Sequence, residues 1–135
     1  MVDLRPGLRR VDEYEVREEH AAPTLLSRGV GVLSTPAMIA MMESTARLAV
    51  ADALPPGHET VGVRVDVRHL APAPLSSRVR VEAELVGVEG RRLVFRVRAS
   101  LGGRVIGEGT HERYIVDLAR FSDKVRMMRL GRDER

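Results

Sequence analysis

The chain has 135 residues, 44% of them hydrophobic, and a net charge of +3 from 22 basic and 19 acidic side chains, which is the size and composition of one globular domain with a real core. With no cysteine it has no disulfide, thiolate nucleophile or thiolate metal ligand, and with Lys124 as its sole lysine it is a poor candidate for a phosphate-loop or Schiff-base enzyme. No window nears the roughly 18 apolar residues of a membrane span, and residues 1–10 lack the apolar run of a signal peptide, so the expected location is cytoplasmic. The interspersed charges read as a solvated surface, and the only aromatics are Tyr14, Phe95, Tyr114 and Phe121, too few to interleave with them as in a nucleic-acid groove.

In chain order, residues 1–10 read as an irregular lead-in punctuated by Pro6 and Gly7. Val11–Glu18 carries a weak strand signal in Val11, Tyr14 and Val16, and His20–Leu33 is a connection containing Pro23, Gly29 and Gly31. Ser34–Leu54 reads as one helix, with Thr35 as N-cap, Pro36 at the first helical position and Pro55-Pro56-Gly57 as the stop. Every residue from Ala37 to Met42 is apolar, which predicts a helix covered on all sides. Thr60–His69 alternates as a strand that turns Val61, Val63, Val65, Val67 and His69 to one buried face.

Ala71-Pro72-Ala73-Pro74 breaks that strand. Arg78–Val86 follows with Val79, Val81, Ala83 and Leu85 inward, then a turn at residues 88–91, then Arg92–Leu101 with Leu93, Phe95, Val97 and Ala99 in phase. Gly102-Gly103 signals a two-residue hairpin. Val105–Leu118 is the last long strand, with Gly107 and Gly109 marking a bulge or a close backbone approach. Ala119–Met128 reads as a short helix, and residues 131–135 as a frayed polar end. Residues 1–135 contain no repeat and form one expected domain. One strand, one apolar helix and four strands on short turns make an α+β architecture, an antiparallel sheet wrapped around a buried helix.

Glu43 stands mid-helix with no charged residue before it in the helix. A carboxylate there needs a partner, a proton or a chemical task, and desolvation would raise its pKa. Arg47, four residues on, offers an ordinary ion pair. Thr35 serves as a cap whatever else it does, His69 at a strand end suits a structural histidine, Arg113 suits an ion pair with Glu112, and Gly62 suits simple packing. His20, His58 and His111 have no metal-ligand spacing, so no metal site is expected.

The layout resembles the hotdog fold. Val88-Glu89-Gly90-Arg91-Arg92-Leu93 and Gly109-Thr110-His111-Glu112-Arg113, with Phe121 and Lys124-Val125-Arg126 behind them, resemble the hotdog thioesterases of the fluoroacetyl-CoA type, and Thr35, Glu43 and His69 fall at matching spacings upstream. The resemblance implies that Thr35, Glu43 and His69 are active-site residues, that the backbone of Gly62 lies against the thioester, and that Arg113 is an active-site arginine. It also implies acyl-CoA as substrate, no separate cofactor, and a homodimer with its sites at the subunit interface, further pairing to tetramers being open. One departure is plain: the family's lid phenylalanines before the helix have no counterpart, because Leu25–Leu33 contains no aromatic and Gly29 stands at the lid position.

Thioester hydrolysis needs a nucleophile or activated water, a proton handler and donors for the oxyanion. Glu43 suits a general base or nucleophile, Thr35 a nucleophile or water-orienting group, His69 the proton carrier for the departing thiolate, and N–H groups at the helix start the oxyanion. Direct water attack and an acyl-enzyme both stay open at this point. The rivals are a hotdog hydratase, whose Asp-x-Asn-Pro-x-His segment is absent here, a non-catalytic acyl-CoA-binding or regulatory dimer, and a basic nucleic-acid-binding protein.

Overall fold

Alternation of small and branched apolar residues along four consecutive segments dictates a sheet with one dry face, and a single apolar helix is there to cover it. In a computed structural model, which describes residues 3–131, the elements are β1 (Arg9–Glu15), a 3-10 turn (Glu18–His20), α1 (Pro23–Leu26), α2 (Thr35–Ala51), β2 (His58–His69), β3 (Arg78–Glu89), β4 (Arg92–Leu101), β5 (Arg104–Asp117) and α3 (Leu118–Arg129). The strands form one sheet in the order β1-β3-β4-β5-β2, every pair antiparallel, with β1 and β2 at the edges. Helix α2 lies across its concave face, the hotdog arrangement that the resemblance implied.

The expected inward residues of β3 and β4 are fully buried: Val79, Val81, Ala83, Leu85, Leu93, Phe95, Val97 and Ala99. From the helix, Met38, Met41, Met42, Ala46 and Val50 pack against them. With one aromatic in this core, methionine fills the irregular gaps. A polar tie adds to the packing: Tyr14 Oη on β1 lies 2.9 Å from Thr45 Oγ1, which in turn donates to Asp12 Oδ2 at 3.0 Å. Gly102 and Gly103 both have positive φ, 57° and 83°, as a two-residue type I′ hairpin requires.

Several boundaries differ from expectation. β1 starts two residues earlier and ends at Glu15, β2 begins at His58, β3 runs on to Glu89, and β5 is shifted one residue. The helix ends at Ala51, before the prolines, and residues 23–26 form a short helix that the glycines and Pro23 concealed. α3 spans Leu118–Arg129, with the Asp117 side chain accepting from the Arg120 N–H as its cap. Of the end expected to fray at 131–135, residues 132–135 lie outside the described residues.

Two expectations about coverage are corrected. Helix α2 is not covered on every side: Pro36, Ala40, Ser44 and Arg47 form an exposed stripe on the face away from the sheet. The valines of β2 are not uniformly buried either, Val63 and Val65 being 52% and 39% exposed. β2 is an edge strand, with no further strand beyond it among the described residues.

Gly107 explains how closely α2 approaches the sheet. A Cβ at this position would collide with the sulfur and methyl of Met38. Gly107→Ala is therefore expected to lower stability by about 1–3 kcal/mol through overpacking, measured by urea unfolding. In a Met38→Ala background, where the obstructing side chain is gone, the same substitution is expected to cost much less.

Candidate functional site

The helix start decides what Thr35 can do. Ser34, not Thr35, is the N-cap: its Oγ accepts from the Ala37 N–H at 3.1 Å, and its carbonyl accepts from Met38. The Thr35 hydroxyl is thus freed from the cap that its position suggested. It lies 2.8 Å from Nδ1 of His69, at the end of β2. The other ring nitrogen, Nε2 of His69, is buried without a hydrogen-bond partner, an uncommon condition for a polar atom. Pro36 has no N–H and those of Ala37 and Met38 are already engaged, so the helix start offers fewer oxyanion donors than expected, with the Thr35 N–H the one left in that turn.

A second cluster gathers around Glu43. Arg47 is not its partner, since Arg47 pairs with Glu59 at 3.0 Å. The Glu43 side chain is 40% exposed, and its Oε2 lies 3.8 Å from Arg113 Nη1 and 3.9 Å from His111 Nε2. Arg113 is buried rather than a surface partner of Glu112, donating from Nε to Thr60 Oγ1 at 2.8 Å and from Nη2 to the Thr60 carbonyl at 2.9 Å. Glu112 points to the opposite face of the sheet, held by Arg92 at 2.9 Å and Arg64 at 3.2 Å.

His111 belongs to this cluster and was not singled out by its sequence position. Its Nδ1 is 2.9 Å from the Arg64 carbonyl and its Nε2 is 3.2 Å from Arg113 Nη1. A carbonyl only accepts and a guanidinium only donates, so the proton sits on Nδ1 and Nε2 is a lone pair. Burial, aided by the Arg113 charge, holds the His111 pKa below the ordinary imidazole value of 6.5. The available signal was its spacing: two residues before Arg113, it shares that residue's face of β5.

Gly62 lies directly beside the cluster. A Cβ there would run into Glu43 Oε2 and displace that carboxylate, whereas glycine leaves the backbone exposed beside it. Gly62 and His69 differ by an odd number of residues, and a regular strand would put them on opposite faces. The register shift between Gly62 and Arg64 reverses the phase, so that Gly62 opposite Arg113, Val65 opposite His111 and His69 opposite Gly107 all face the helix. Even so, one chain does not unite the five expected residues. Thr35 joins His69, and Glu43 joins Arg113 and Gly62. Eight helical residues, about 12 Å, separate the two groups.

A match to the family model described as fluoroacetyl-CoA-specific thioesterase covers residues 16–119. The fluoroacetyl-CoA thioesterase of Streptantibioticus cattleyicolor is 44% identical over 95 residues, 70% of this chain and 68% of that protein. The chain belongs to the fluoroacetyl-CoA-specific thioesterase family. It is accordingly a thioester hydrolase. A solved structure of the fluoroacetyl-CoA thioesterase FlK superposes with a TM-score of 0.84 at 36% identity, covering 93% of this chain and 98% of that one. A thioesterase superfamily member from Thermus thermophilus gives 0.86 at 31% identity, covering 97% of each.

In this family member the Thr35–His69 pair borders a cleft of about 380 Å³, walled on one side by Ala22, Leu25, Val32 and Leu33 and on the other by Leu70 and Pro72. Among the described residues, no cluster of His, Asp and Glu is arranged to hold a metal ion.

The buried, neutral His111 has a consequence for stability. Its folded pKa is depressed, so below about 6.5 the unfolded chain binds a proton that the folded chain refuses, and stability falls as pH falls through that range. Thermal unfolding followed from pH 7.5 down to 5.5 is expected to show this loss. His111→Asn is expected to start lower and to show a flatter profile.

Proposed function

We propose that this chain hydrolyses acyl-CoA thioesters to free acid and CoA at a site built from Thr35, His69 and Glu43 across a homodimer interface. The observation that carries this reading is the 2.8 Å contact of Thr35 with His69 beside an apolar cleft, where the second nitrogen of His69 is buried and unpaired. In the first step, His69 Nδ1 takes the Thr35 proton as the hydroxyl attacks the thioester carbonyl. The resulting imidazolium returns a proton to the departing CoA thiolate. In the second step, Glu43 serves as base for the water that releases the acid from Thr35. The backbone at Gly62 gives the thioester room, and Arg113, held by Thr60 and His111, fixes the Glu43 carboxylate.

The 12 Å gap between the two groups is the reason for the dimer. β2 is an edge strand, and pairing it antiparallel with the same strand of a second chain about a two-fold axis near Val65 would set His69 of one chain beside Gly62 of the other. Thr35 and His69 would then meet Glu43 and Arg113 supplied from across the axis, and the open edge of β2 with Val63 and Val65 would be covered.

Free-thiol release from a panel of acyl-CoAs tests the reading. Glu43→Ala is expected to lower turnover at least about a hundredfold, as removal of a general base does. Equal acyl-CoA binding by both proteins with no turnover by either would replace the enzyme with a binding module. Subunit mixing tests the interface. Thr35→Ala and Glu43→Ala, each inactive alone, are expected to regain about a quarter of wild-type activity when unfolded and refolded together, because half of the dimers then carry one intact site of two. No recovery would put all three residues of a site in one chain.

A further inference from the structure

We infer that the acyl group this enzyme prefers is an unsubstituted aliphatic chain of medium length, about six to ten carbons, lodged in the cleft between Leu25 and Leu70. The inference rests on the thioesterase reading above and concerns only its substrate. Three observations carry it. The cleft begins at the Thr35–His69 pair, so a thioester presented to the Thr35 hydroxyl has its acyl substituent beside the opening. Beyond that pair the cleft is walled by aliphatic side chains, Leu25, Val32, Leu33 and Leu70, with Pro72 completing the wall. Its volume of about 380 Å³ is many times what a two-carbon acyl group fills, at about 30 Å³ for each water-sized group.

The segment in front of the helix supplies Leu25, Val32 and Leu33 to this wall. Gly29, at a φ of 82°, turns the chain back between α1 and the helix cap. Gly31, two residues on, lies against Leu75 of the β2–β3 connection, where a Cβ would collide. Among the cleft residues Leu25 and Leu70 are 42% and 51% exposed. Apolar surface of that kind, held open beside a buried unpaired imidazole nitrogen, gains most from an occupant that brings apolar surface of its own. Each added methylene that leaves water there raises kcat/KM by about fourfold, up to the length at which the cleft is full.

The test is a chain-length series of straight acyl-CoAs from acetyl to dodecanoyl, with fluoroacetyl-CoA included, run on wild type, Leu25→Trp and Leu70→Trp. The expected result is a kcat/KM maximum between six and ten carbons, with octanoyl-CoA exceeding acetyl-CoA by at least about a hundredfold. In either tryptophan variant the octanoyl-to-acetyl ratio is expected to fall by at least about tenfold as the optimum moves to shorter chains. A maximum at acetyl-CoA or fluoroacetyl-CoA, with a ratio that neither substitution moves, would overturn the assignment of the cleft and leave the thioesterase intact. Thiol release from no member of the series by folded wild-type protein would overturn the thioesterase reading and this inference with it. Two partly exposed positions are used so that a folding defect in one variant leaves the other informative.

Discussion

Everything in this molecule depends on how close helix α2 comes to the concave face of the sheet. Aromatic bulk is almost absent from that contact, so the core is built by methionine, valine and alanine at short range, and close approach needs a backbone position with no side chain. Gly107 supplies it under Met38. The helix in turn carries both polar groups that matter, Thr35 at its start and Glu43 at its middle, and their positions over the sheet are fixed by the same packing. A small outward shift of α2 would loosen the core and separate Thr35 from His69 together.

The division of the polar residues into two groups follows from simple lengths. Thr35 and Glu43 are more than two helical turns apart, and the strand residues that they meet, His69 and Gly62, are separated by a still longer run of extended chain, about 20 Å. What unites each pair is local: a serine cap that leaves the neighbouring threonine free, and a bulge in β2 that brings an even and an odd residue to one face. Neither device adds chemistry of its own. Each aims a group that does.

Much of the fold was legible in the residues, because β3 and β4 alternate without interruption and the helix ends in strong stop signals. Leu93, Phe95, Val97 and Ala99 needed nothing beyond a period of two. The failures have particular causes. Ser34 and Thr35 are both good caps, and only the hydrogen-bond geometry tells which is used. The bulge after Gly62 carries no sequence mark distinct from an ordinary strand glycine, so the phase expected for Val61, Val63, Val65, Val67 and His69 fails before the bulge and holds from Val65 to His69. Arg47 looked like the partner of Glu43 because helical spacing was the only distance available, whereas the groups actually near Glu43 come from β5, some seventy residues away in the chain. His111 has no metal-ligand spacing in the sequence, and its contact with Arg113 emerges only where β5 turns both side chains to one face.

The open edge of β2 has a meaning beyond any site it helps to form. A row of unpaired N–H and C=O groups, flanked by the exposed side chains of Val63 and Val65, is a template on which another strand can grow. A single partner that pairs with it in register closes the row. Without such a partner, newly made or dilute chains present a sticky ribbon to any extended polypeptide nearby, and disordered association competes with correct assembly. Arg64, Asp66 and Arg68 stand exposed along that same edge, and charge on an edge strand disfavours its indiscriminate pairing with other extended chains.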